Sequence, residues 1–128
     1  MKLAPRPGSE EGCFRRWFRL AFWLAVAVVL LVTLSPGAYL EPLNSITFWD
    51  KAEHALSFAG LGLLGLLAYP LQPARVLVGL LLLGGAIELA QAATGWRSGE
   101  WADWLADAIG LLPPLVARSW LAGRCERA

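Results

Sequence analysis

Charge-free stretches of nearly twenty residues limit what this chain can fold into. No charged side chain occurs between Leu20 and Leu40, none between Ala55 and Tyr69, and between Val76 and Thr94 the only one is Glu88. A helix of about twenty residues spans the ~30 Å hydrocarbon core of a bilayer. With 128 residues, 57% of them hydrophobic, and a mean hydropathy of +0.53, a water-soluble domain could not hide so much apolar surface. The fold class expected is all-α and embedded in a membrane.

Only 16% of residues are charged and the formal net charge is +1, with no run of Lys or Arg dense enough for nucleic acid. Cys13 and Cys125 stand near opposite ends without metal-ligand spacing, which predicts free thiols in a reducing compartment.

Four spans are predicted, with helices at about 17–35, 51–69, 75–94 and 101–120, within one domain over 17–122 between tails at 1–16 and 123–128. A basic start before an apolar run also suits a signal peptide, but this core is too long, and Pro36 spoils a cut after Ala38. An uncleaved helix ending near Ser35-Pro36-Gly37 is the better reading, because a proline disfavours helix in the residue before it. The links 71–74 and 95–100 are short. Sequential helices then become antiparallel neighbours, in a compact four-helix transmembrane bundle of up-down topology.

Orientation follows from the cations. With the N-terminus inside, Lys2, Arg6, Arg15, Arg16, Arg19, Arg75, Arg118, Arg124 and Arg127 are internal, nine of eleven, leaving Lys51 and Arg97 outside. Both termini are therefore expected on the cytoplasmic side. Trp49, Trp96, Trp101 and Trp104 would flank the outer boundary and Trp17 and Trp120 the inner one.

This orientation also gathers the polar residues of the spans near the outer leaflet. Asp50, Lys51 and His54 open the second span, Glu88 and Gln91 close the third, and Arg97, Asp103 and Asp107 open the fourth. At ~1.5 Å per residue, Glu88 lies ~20 Å and Asp107 ~16 Å from the inner boundary. Asp50 with His54, Glu88 with Gln91, and Asp103 with Asp107 each share a helix face. Polar stripes turned to lipid would be intolerable, so the stripes are expected to face one another. Seven outer acids against two cations cannot all be buried in ionised form; some are expected to be protonated or in water.

The elements Asp50-Lys51-x-x-His54 with Phe58, Glu88-x-x-Gln91, Arg97 and Asp103-x-x-x-Asp107-x-x-Gly110 resemble the VanZ-like family of small bacterial membrane proteins, over roughly Val32 to Val116. The resemblance implies a multi-pass protein of the bacterial cytoplasmic membrane, of an accessory cell-envelope type linked to lipoglycopeptide antibiotic resistance, with no established reaction. Asp107 departs from the asparagine usual there, and Pro113-Pro114 replace a glycine. These prolines withdraw the amide donors for the carbonyls of Ile109 and Gly110.

Each polar group also has a plain structural role. Asp50 suits a helix start. Glu88 with Gln91 suits an interhelical clasp. Arg97 suits either an anion or the neutralisation of Asp103 or Glu100. One histidine among scattered acids does not predict a metal, and no cofactor is expected. The glycines of Gly60-x-Gly62-x-x-Gly65 spell a dinucleotide fingerprint, but no strand precedes them; with Ala55, Ala59, Gly84 and Gly85 they suit close helix packing.

The eight polar positions are expected to bind an anionic group or to handle a proton. The anion would be a lipid headgroup, a lipid-linked cell-wall precursor or a glycopeptide, held by Lys51 and Arg97. The alternatives are a proton- or cation-coupled transporter component, in which an oligomer would widen the path, and a module whose polar network only locks the helices. No nucleophile can be named, so enzyme activity is not expected.

Overall fold

A computed structural model describes residues 9–35, 47–95 and 99–125, with side chains over 12–35, 51–95 and 99–124. Within them the chain is helical: α1 (Ser9–Leu34), α2 (Thr47–Ala68), α3 (Pro73–Thr94), α4 (Trp101–Gly110) and α5 (Leu112–Cys125). Three stretches are long and apolar enough to cross a membrane: Gly12–Leu34, Pro73–Thr94 and Trp101–Arg124, the last combining α4 and α5. α2 is not among them, because Lys51, Glu53 and His54 lower the hydropathy of its first turns.

Local chemistry explains most of the boundaries. α1 starts at Ser9, ahead of the expected 17. It stops at Leu34, before Ser35-Pro36. Pro73, whose missing N–H costs nothing at a helix start, opens α3. Gly95 closes α3 at φ 75°, a left-handed cap that glycine adopts without penalty.

The expected single fourth helix is divided at Leu111. Pro113 and Pro114 cannot donate to the carbonyls of Ile109 and Gly110, so the ladder stops and resumes with Leu115 N–H to the carbonyl of Leu111. Leu111 N–H itself is shared between the carbonyls of Asp107 and Ala108, each at 3.2 Å.

The one long helix that is not among these spanning stretches is the central one. α2 packs against α1, α3, α4 and α5, whereas α1 touches neither α4 nor α5 among the described residues. The core follows its axis: Phe58 and Leu61 of α2 and Ile87 of α3 are almost fully buried, with Phe22, Val26, Leu80 and Leu111 around them. Leu24, Leu31, Leu82, Leu89 and Ile109 point outward, an apolar exterior suited to lipid.

Glycines permit the closest approaches. At Gly110 an added Cβ would run into the carbonyl oxygen of Ala55, so α4 meets α2 there with no space for a side chain. At Gly65 it would lie 2.6 Å from Val76 of α3, and at Gly62 3.0 Å from Pro114 of α5. Gly60 faces open space, so that glycine of the triplet does not serve packing.

Arginines hold the far end of α2. Arg19 Nε donates to the carbonyl of Ala68 at 3.4 Å and its guanidinium lies over the Tyr69 ring, while Arg118 donates to the carbonyl of Pro70 at 2.9 Å. Cations at unbonded carbonyls past a helix end are favourable.

Candidate functional site: a buried His54–Asp107–Glu88 cluster

The start of α2, the end of α3 and the start of α4 lie together, and their polar residues form two tiers. In the outer tier Lys51 Nζ lies 3.1 Å from Asp103 Oδ1 and 3.3 Å from Glu100 Oε2, joining α2 to α4 and its approach. Lys51 is half-exposed and Asp103 buried. One cation thus serves two carboxylates.

One turn further along α2 lies the inner tier. His54 Nδ1 sits 2.9 Å from Asp107 Oδ1, close enough to share a proton. His54 is 6% exposed and Asp107 0%. Asp107 can be so deep because α3 presents Gly84 to it: an added Cβ there would lie 2.6 Å from Asp107 Oδ2. Trp104 donates its indole N–H to the carbonyl of Leu81 at 2.9 Å and packs over the same stretch of α3.

Glu88 of α3 completes the tier. Its Oε2 accepts the backbone N–H of Glu100 at 2.8 Å, which pins the approach to α4 onto α3. Its Oε1 is buried without a hydrogen-bond partner, as is Asp107 Oδ2. A buried acceptor with no donor normally costs 1–3 kcal/mol, and more if charged, so two in one cluster of a few side chains call for a reason.

Not every polar residue singled out in the sequence joins this cluster. Gln91 is buried but donates to the carbonyl of Thr33 at 2.9 Å, so it ties α3 to α1 and makes no bond to Glu88 or His54. Asp50 belongs to the first turn of α2, but its side chain lies outside the described residues, and Arg97 lies outside them altogether.

Sequence spacing did not indicate Glu100 as a backbone donor, Gly84 as the space beside Asp107, or Trp104 as a clasp. The first two are groups without a distinguishing side chain in these roles. The indole of Trp104 reads equally well as a boundary anchor. A metal is not predicted from one histidine and dispersed acids, yet the folded chain places ligand atoms of His54, Glu88 and Asp107 within 4.8 Å of one another.

No family model, curated protein or solved structure matches this chain.

Proposed function

We propose that this chain is a multi-pass protein of the bacterial cytoplasmic membrane, similar to the VanZ-like family, whose inner tier takes up and releases a proton near the outer leaflet. The observation that carries this reading is the His54–Asp107 pair. An imidazole and a carboxylate 2.9 Å apart, nearly or fully buried, share a proton, and the Glu88 carboxylate stands next to them. Histidine is the side chain whose ordinary range lies nearest neutrality, which makes it the natural exchanger of the three.

Binding an anionic headgroup is the weaker reading. Lys51 is already engaged by Asp103 and Glu100, and the inner tier behind it adds the carboxyls of Glu88 and Asp107. An anion would have to displace a carboxylate and enter a repulsive site. The arginines around the far end of α2 support the up-down topology with both termini cytoplasmic, since Lys and Arg accumulate on that side. An accessory role in the cell envelope, including lipoglycopeptide resistance, belongs to the same proposal.

Infrared-monitored titration of the protein in nanodiscs tests the proton reading. A carboxylic acid band should gain and lose intensity as pH is cycled, and it should change in Asp107→Asn and Glu88→Gln. A pH-dependent band identical in the wild-type chain and both variants, with the chain fully helical, means that the network only locks the helices. For the envelope role, a deletion strain should become more sensitive to a lipoglycopeptide. The wild-type chain should restore resistance and Glu88→Gln should not.

A further inference from the structure

We propose that His54, Glu88 and Asp107 form a binding site for one divalent first-row transition-metal ion of the zinc or manganese class. This goes beyond the proton reading and does not rest on it. It stands on the positions of three ligand groups and on two oxygens that nothing among the described residues satisfies.

The ligand groups come from three helices distant in sequence, α2, α3 and α4, and their donor atoms lie within 4.8 Å of one another. A metal with bonds of about 2.0–2.2 Å to nitrogen and oxygen holds adjacent ligands about 3–4 Å apart. Closing onto an ion would thus require side-chain adjustments of about an ångström.

The two unsatisfied oxygens point independently to a ligand. Asp107 is completely buried and Glu88 is 92% buried, from a relative exposure of 8%. Among the described residues Asp107 Oδ2 and Glu88 Oε1 nonetheless have no donor. Each carboxylate spends its other oxygen on an identified partner, Asp107 on His54 and Glu88 on the Glu100 amide. A cation held among the three groups would offer these carboxylates the partner that no described donor gives their free oxygens, with His54 turning from Asp107 to the ion. Lys51, the nearest cation described, is held in the outer tier.

The donor set defines the class of ion. Imidazole is a ligand of transition metals rather than of alkali ions, and two carboxylates offset a charge of 2+ in a low-dielectric setting. Calcium takes six or more oxygens and magnesium a near-octahedral oxygen shell, neither of which this set supplies. No thiolate is present to select a soft monovalent ion. Three protein ligands leave coordination positions open to water or to an oxygen of a bound molecule, the arrangement of reactive rather than purely structural metal sites.

The test uses the full chain in detergent or nanodiscs, without a polyhistidine tag and in a Cys13→Ser, Cys125→Ser background that removes competing thiols. Equilibrium dialysis against Zn2+ and Mn2+, with Mg2+ and Ca2+ as comparators, should give one Zn2+ or Mn2+ per chain and no comparable uptake of the others. Because the chain has a single histidine, X-ray absorption of the loaded protein should show one imidazole nitrogen among oxygens. The near-isosteric Glu88→Gln and Asp107→Asn should each weaken binding at least ~10–100-fold, the cost of losing even an outer-shell partner. Asp103→Asn, which removes a neighbouring acid from outside the ligand set, should change it by less.

Failure of the well-folded wild-type chain to retain Zn2+ or Mn2+ would overturn the proposal. A bound ion with no imidazole in its shell would also overturn it, without relying on any variant. Neither result bears on proton exchange, which the infrared titration reads without metal.

Discussion

Asp107 and Gly84 must be considered together. The carboxylate is buried to 0% exposure only because the facing helix has no side chain where Asp107 Oδ2 lies. Gly84→Ala is therefore expected to push the carboxylate away from His54, with a loss of about 1–3 kcal/mol typical of overpacking a tight site. Gly60→Ala faces open space and should be neutral or raise stability by up to about 1 kcal/mol, because alanine is the better helix former. Unfolding measurements on both variants in the same micelle check the contrast; equal stabilities would contradict the placement of Asp107.

The convergence of such residues is readable in the sequence, because polar groups on spanning helices must find one another or water. Their pairings are not. Lys51 with Asp103, and Gln91 with the carbonyl of Thr33, depend on the rotation of each helix about its axis and on backbone acceptors that carry no sequence signal.

Among the elements, α4 and α5 depart most from expectation. Helix limits at Leu34, Pro73 and Gly95 follow from proline and glycine, whose local effects are strong enough to act without tertiary context. Pro113-Pro114 also mark their place, but whether such a pair loosens or divides a helix depends on what supports the freed carbonyls. Here the division keeps Gly110 against the Ala55 backbone and Pro114 against Gly62, both on α2. Pro113→Ala returns a donor for the Ile109 carbonyl and should join α4 to α5. Amide hydrogen exchange from Leu111 to Leu115 should then slow. Pro114→Ala removes a buried ring from the α2 contact and should lower stability instead. Faster exchange in Pro113→Ala would mean that the break is imposed by packing and not by the missing donor.

For the whole molecule, the hydrophobic runs predict four spans; three stretches are long and apolar enough to cross a membrane, and the central position of α2, the second of the four, is hidden in the sequence. Hydropathy averages around a helix, and a segment packed against four neighbours can carry Lys51 and His54 on its packed face, where each meets an aspartate of α4. The proposed orientation makes a direct prediction. Reporters inserted at Gln72 should read as cytoplasmic and at Gly99 as external; the reverse pattern, or the same side for both, would contradict it.

α2 meets α4 at His54 and Asp107, and both the proton and the metal readings need that contact. The single histidine allows a direct measurement: solid-state NMR dipolar recoupling between the 15N-labelled imidazole and 13C-labelled aspartate carboxyl carbons. A strong coupling at the spacing set by the 2.9 Å contact, lost in Asp107→Asn, is predicted. No coupling in the wild-type chain, or a coupling that survives the substitution, would contradict the account.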